Sequence, residues 1–166
     1  MREQRTMLEV FIVEDDPDDR LLIQHDFSER SLPISMEFLR SGEEYRVFAD
    51  RQPLKSRESI PCLVIINTFP KEEFIETIEK IREIAGRDPL LFIAGMIDAP
   101  WEASFYDMAK WNLVELIVKP VTPKKLVDFL REAPEPALSS LDFNSDLFSP
   151  PQLNSELPSS KDESPD

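Results

Sequence analysis

The chain has 166 residues, which suits one domain of ordinary size plus an extension. Its formal net charge of -14 would be repelled by polyphosphates and anionic lipid, which argues against nucleic-acid and membrane partners. The one cysteine, Cys62, excludes an internal disulfide and a multi-cysteine metal site. No apolar run approaches a membrane span and Met1 to Thr6 form no apolar signal region, so a cytoplasmic protein is expected.

Strand and helix patterns alternate from the start. Leu8 to Val13 is apolar almost throughout, as a strand covered on both faces should be. It stops on Glu14, Asp15, Asp16 and Pro17, where a helix begins: Asp16 can cap it, Pro17 fits its first turn, and Asp18 and Asp19 suit the positive end of its dipole. Ile23 and Phe27 share its inner face. Ile34 to Leu39 alternates as a half-covered strand does, and Ser41 then opens a short helix bearing Tyr45, Val47 and Phe48. Cys62 to Ile66 is the most apolar strand and is expected at the centre. Phe74, Ile75, Ile78, Ile81 and Ala85 trace one helical face that Gly86 can end.

Leu90 to Ile93 is the fourth strand. Asp98 precedes a single fourth helix with Trp101, Phe105 and Met108 on one face, and Asn112 can end it in a left-handed conformation. Glu115 to Val118 is the fifth strand. Thr122 and Pro123 open the last helix, whose Leu126, Phe129 and Leu130 face inward. Strict alternation predicts an α/β fold, a doubly wound parallel sheet of five strands covered on both sides. Its ligand crevice belongs beyond the carboxyl ends of the strands.

After Ala133 the composition changes. Residues 134–166 hold six Pro, eight Ser and seven acids against one Lys, a mixture that buries too little surface to offset the entropy of ordering. The sequence therefore divides into a domain at 1–133 and a disordered acidic Pro/Ser-rich tail at 134–166. Within that tail, Leu141 to Phe148 reads either as passive extension or as a short motif for a partner groove.

The acids after the first strand and the Lys119-Pro120 pair after the fifth, in this order of elements, resemble the receiver domain of bacterial two-component response regulators. The resemblance covers about Leu8 to Arg131 and implies a flavodoxin/CheY-like (βα)5 fold. It implies that Glu14 and Asp15 match a magnesium-binding acid pair and that Lys119 matches a lysine contacting the phosphoryl group. It also implies a cis peptide before Pro120. Carboxylates suit hard magnesium, and a lysine offsets phosphoryl charge.

Other family positions carry different chemistry here. Asn67 stands where the family has its phosphoacceptor aspartate, and a carboxamide is neither anionic nor a competent nucleophile. Ala94 takes the place of the switch Ser or Thr, and Leu116 that of the aromatic rotamer switch. With one carboxylate fewer, Lys119 is expected to pair with Asp15. Weak magnesium binding at Glu14 and Asp15, with Asn67 as a minor ligand, stays open as the only cofactor.

The resemblance implies a non-enzymatic atypical receiver that signals by protein contact without phosphorylation. Its partner would be a histidine kinase or a downstream effector, with homodimerisation open. Alternatives are a phosphorelay receiver using a neighbouring acid, such as Asp15, as surrogate acceptor, and a small metal-dependent hydrolase with Glu14 and Asp15 as ligands. His25, the only histidine, reads as solvated. Trp101, Phe105 and Trp111 exceed what the core face of the fourth helix needs, and they are the expected interaction surface.

Overall fold

The computed structural model describes residues 6–51 and 60–143. Five parallel strands form one sheet: β1 (Leu8–Val13), β2 (Ile34–Leu39), β3 (Cys62–Asn67), β4 (Leu91–Ile97) and β5 (Leu113–Val118), in the order β2-β1-β3-β4-β5. The α-helices are α1 (Pro17–Ser28), α2 (Gly42–Arg51), α3 (Lys71–Ala85), α4 (Met108–Trp111), α5 (Pro123–Glu132) and α6 (Pro136–Ser139). The expected doubly wound parallel sheet is what forms.

Side chains alternate across the sheet with the period of two that extended backbone imposes. Leu8, Val10, Ile12, Leu63 and Ile65 face one layer, where Ile23 and Phe27 of α1 meet Leu126 and Leu130 of α5. Phe11, Val13, Val64 and Ile66 face the other, against Tyr45 of α2 and Phe74, Ile78 and Ile81 of α3. β1 and β3 are buried on both faces, which is why their sequences read as continuous apolar runs.

Three expectations are corrected. The fourth strand runs to Ile97 and not to Ile93, because Gly95 belongs to it. A Cβ at Gly95 would lie 2.8 Å from both Leu116 Cδ2 and Thr68 Cγ2, so this glycine marks a close approach of packed elements. The single fourth helix is instead a 3-10 helix (Pro100–Phe105) followed by the one-turn α4. Tyr106 is extended between them, turning its ring onto Phe74 and its hydroxyl to the Thr68 carbonyl at 3.1 Å. Asp107 then caps the restart by accepting from Lys110 N–H at 3.0 Å. Asn112 does close it in the left-handed conformation, at φ 50°.

The third correction is the boundary at 133. α6 packs on α5, Leu138 is 0% exposed and Phe143 4%, both within the α1/α5 layer. Arg131 Nη2 donates to the Phe143 carbonyl at 3.3 Å and ties the segment down. Two well-placed apolar side chains outweigh a composition that, averaged over the tail, predicts no packing. The rest of the tail, including the second half of the Leu141 to Phe148 motif, lies outside the described residues.

Candidate functional site at the carboxyl edge of the sheet

Because all five strands run the same way, the residues that leave them converge at one edge. Glu14 follows β1, Asn67 closes β3, Asp98 follows β4 and Lys119 follows β5. Beside them, under the first turn of α1, lies an open cavity of about 360 Å³. Glu14, Asp19, Asp98 and Lys119 form its charged wall; Leu22, Ile23, Met96, Pro120 and Val121 form its apolar wall.

Glu14 is the buried member at 1% exposure. Its Oε1 accepts from the Asp16 backbone N–H at 3.1 Å and from Asn67 Nδ2 at 3.3 Å. Its Oε2 lies 3.3 Å from Lys119 Nζ as an ion pair, yet no donor completes a hydrogen bond to it. The same ammonium stands 3.6 Å from Asp98 Oδ1 and 3.7 Å from Asp19 Oδ2. Burial by itself lowers the Lys119 pKa, but attraction to Glu14, then Asp98 and Asp19, outweighs it and holds the group above its ordinary 10.5. One cation is thus shared by three carboxylates.

The two members of the acid pair read from the sequence differ in burial. Glu14 turns inward, whereas Asp15 is exposed and forms no part of the cavity wall. Successive residues leaving an extended strand point to opposite sides, and here the first points in. Asp16 caps α1 by accepting from Asp18 N–H at 2.9 Å. Lys119 accordingly pairs with Glu14, Asp98 and Asp19 and not with Asp15. Asp19 was legible only as a dipole-matched helix residue, and Asp98 only as a helix start. Asp98 owes its place in the cavity to the extra length of β4, and Asp19 to its position in the first turn of α1.

Asn67 sits at the end of β3, as expected. Its Nδ2 donates to Glu14 while its Oδ1 accepts from Phe69 N–H at 3.3 Å, which braces the short turn into α3. Ala94 is misplaced in the sequence reading. It is 0% exposed, opposite Ile65 in mid-strand, and the β4 residue level with Asn67 is Met96. Met96 lines the cavity with a thioether and offers no hydroxyl. The nearby Thr68 hydroxyl is turned to the Met96 carbonyl at 2.7 Å. Leu116 is half-buried in the α2/α3 layer. The peptides before Pro70 and Pro120 are both cis.

Both protons offered to Glu14 Oε1 come from the protein, and Oε2 faces an ammonium. Among the described residues no group of three or more His, Cys, Asp and Glu side chains is arranged to hold a metal ion.

The expected aromatic surface divides. Trp101 and Phe105, in the 3-10 helix beyond Asp98, are 66% and 59% exposed. Trp111 is half-buried on the α2/α3 layer, with Lys110 Nζ 5.0 Å from its ring and its carbonyl accepting from Arg82 at 3.0 Å. Phe69 is 74% exposed and was missed, since an aromatic between Thr and Pro in a turn carries no periodic signal. His25 is exposed on α1, 3.3 Å from Glu29, and Cys62 is buried in β3.

No protein-family model and no curated protein sequence matches the chain. Solved structures do. The bacteriophytochrome response regulator AtBRR is similar at TM-score 0.56 and 17% identity, covering 82% of this chain and 95% of its own. The strand order and these neighbours agree. The chain has the receiver fold. The chemotaxis response regulator CheY4 of Vibrio cholerae matches this receiver fold at TM-score 0.53 and 18% identity, over 76% of this chain and 98% of its own. So does the receiver domain of the sensor histidine kinase PA1611 from Pseudomonas aeruginosa, at TM-score 0.53 and 14% identity, over 75% and 95%. That structure has magnesium coordinated in its active-site cleft. In the present receiver fold the corresponding edge holds Lys119 among its carboxylates. No helix of the described residues is long and apolar enough to cross a membrane.

Proposed function

We propose that the chain is an atypical receiver-fold module that acts by protein–protein contact in two-component or phosphorelay-type signalling, without phosphorylation and without enzymatic activity. The observation that carries this reading is Asn67 at the end of β3, held between Glu14 and the Phe69 N–H. A carboxamide cannot accept a phosphoryl group as an acyl phosphate, because it has no anionic oxygen to attack with.

The surroundings support the same reading. Lys119 is already neutralised by three carboxylates, so its charge is not held in reserve for a phosphoryl oxygen. Neither Ala94 nor Met96 supplies a hydroxyl beside Asn67. Asp15, named as a surrogate acceptor in the alternative reading, is exposed and makes no ion pair with Lys119, whose partners are Glu14, Asp19 and Asp98. A histidine kinase or an effector remains the class of partner that a receiver fold would meet.

The test is intact-mass analysis after incubation with acetyl phosphate and magnesium. The mass is expected to stay unchanged. A stoichiometric gain of one phosphoryl group overturns the proposal, and peptide mapping then identifies the acceptor.

A further inference from the structure

The carboxyl-edge cavity has more negative than positive charge and an apolar wall. Lys119 is its one cation, set against Glu14, Asp19 and Asp98. The Asp19 and Asp98 side chains are 42% and 65% exposed, so each keeps a solvent-facing side. Glu14 is 1% exposed and lines the cavity, and its Oε2 receives no hydrogen bond despite the ammonium 3.3 Å away. The ammonium faces this oxygen without completing a hydrogen bond, so a charged donor arriving from outside has an acceptor to meet.

Immediately beyond Asp98 stands an exposed aromatic pair. The Trp101 and Phe105 rings meet edge to face with centroids 5.5 Å apart. Phe69 is exposed on the turn before α3, and that turn is bound to the end of the same 3-10 helix. Tyr106 Oη donates to the Thr68 carbonyl, and Lys71 Nζ donates to the Phe105 carbonyl at 3.4 Å. Large aromatic side chains left in solvent beside a charged recess are the usual anchors of an interface.

We propose that this edge docks a basic, apolar segment of a partner protein, with one arginine or lysine inserted in the cavity and its apolar neighbours laid on Trp101, Phe105 and Phe69. The proposal rests on the phosphorylation-independent reading of the same site and adds the chemistry of its partner. Charge selects the occupant. An acidic or phosphorylated segment, or a second copy of a chain of net charge -14, meets repulsion at an edge that is itself acidic. A basic segment is drawn in. The methylene stem of arginine or lysine suits the wall of Ile23, Met96 and Val121, while its head reaches the carboxylates.

The test uses the full chain and an array of short synthetic peptides combining basic, acidic or neutral residues with Leu, Phe and Trp. Basic-apolar peptides are expected to be retained, with affinity falling as salt is raised. The best of them, measured by fluorescence anisotropy, should lose about tenfold or more on Asp98→Lys and on Trp101→Ala. Asp128→Asn, on the outer side of α5, should leave it unchanged. Both edge substitutions lie at exposed positions, and circular dichroism confirms that each variant folds. Preference for acidic or neutral peptides overturns the proposal. So does undiminished binding in the two edge variants, or self-association of the native chain that Trp101→Ala abolishes. A phosphoryl gain in the mass experiment overturns the underlying reading, whereas loss of peptide selectivity without that gain overturns the docking alone.

Discussion

At the carboxyl edge, four charged side chains from four different segments hold one another; beyond α5, residues 134–143 are held by Leu138, Phe143 and the partly buried Leu141, together with the Arg131 hydrogen bond to the Phe143 carbonyl. Glu14 is buried only because Lys119 accompanies it, and each charge there depends on the others. Leu138 and Phe143 need no matched partner, since any apolar wall of the right shape takes them. The first region is therefore sensitive to the removal of one member, while the second loses stability in proportion to the area removed. Whether removing a second member offsets the loss of the first is the measurable difference between them.

The largest effect is expected in the apolar region. Phe143→Ala should lower the free energy of unfolding by about 3–5 kcal/mol, read from urea melts, with the lower end if the site collapses around the loss. A change near zero would mean that residues 134–143 do not hold to the domain in solution. The neighbouring Leu138→Ala should add to it only in part, because both side chains share one layer.

A smaller effect, of different character, is expected at the charged edge. Lys119→Met leaves the Glu14 carboxylate buried without its cation and should cost about 1–3 kcal/mol, discounted because Lys119 is 21% exposed. The double variant Glu14→Gln/Lys119→Met should cost less than Lys119→Met alone. If the two substitutions are additive, the edge is not coupled and the comparison fails.

The same lysine predicts a pH dependence. Its folded pKa lies above the ordinary 10.5, so the folded chain holds this proton more tightly than the unfolded one. The stability it contributes is fully present below about 10.5 and is lost as the pH rises through the folded value. The urea midpoint of the native chain should therefore fall more steeply above that pH than the midpoint of Lys119→Met. Parallel curves would show that the ammonium gains nothing from its three neighbours.

The smallest effect calibrates the others. Lys124 Nζ and Asp128 Oδ2 are 2.6 Å apart on α5 with side chains 76% and 50% exposed. Asp128→Asn should cost only about 0.3–0.5 kcal/mol despite that short distance. Exposure to water, more than separation, sets what a charge pair is worth.

Much of the fold was legible in the sequence because period and capping act locally. The apolar runs of β1 and β3, the inner face of α3, the Asp16 and Thr122 caps and the left-handed Asn112 each declare themselves within a few residues. Asn67 at the end of the central strand and Lys119 at the end of the last are legible for the same reason. What adjacency in the chain cannot report is direction. Glu14 and Asp15 are neighbours in sequence, yet one is buried beside Lys119 and the other exposed, and Asp19 and Asp98 are distant in sequence and share one ammonium. Gly95 has no side chain because Leu116 and Thr68 press on it, a contact the sequence does not display. Tertiary structure alone determined which carboxylates converge, which aromatic residues stay in solvent, and that Phe143 is core. These outcomes depend on contacts between elements far apart in the chain, and such contacts leave no period for the sequence to display.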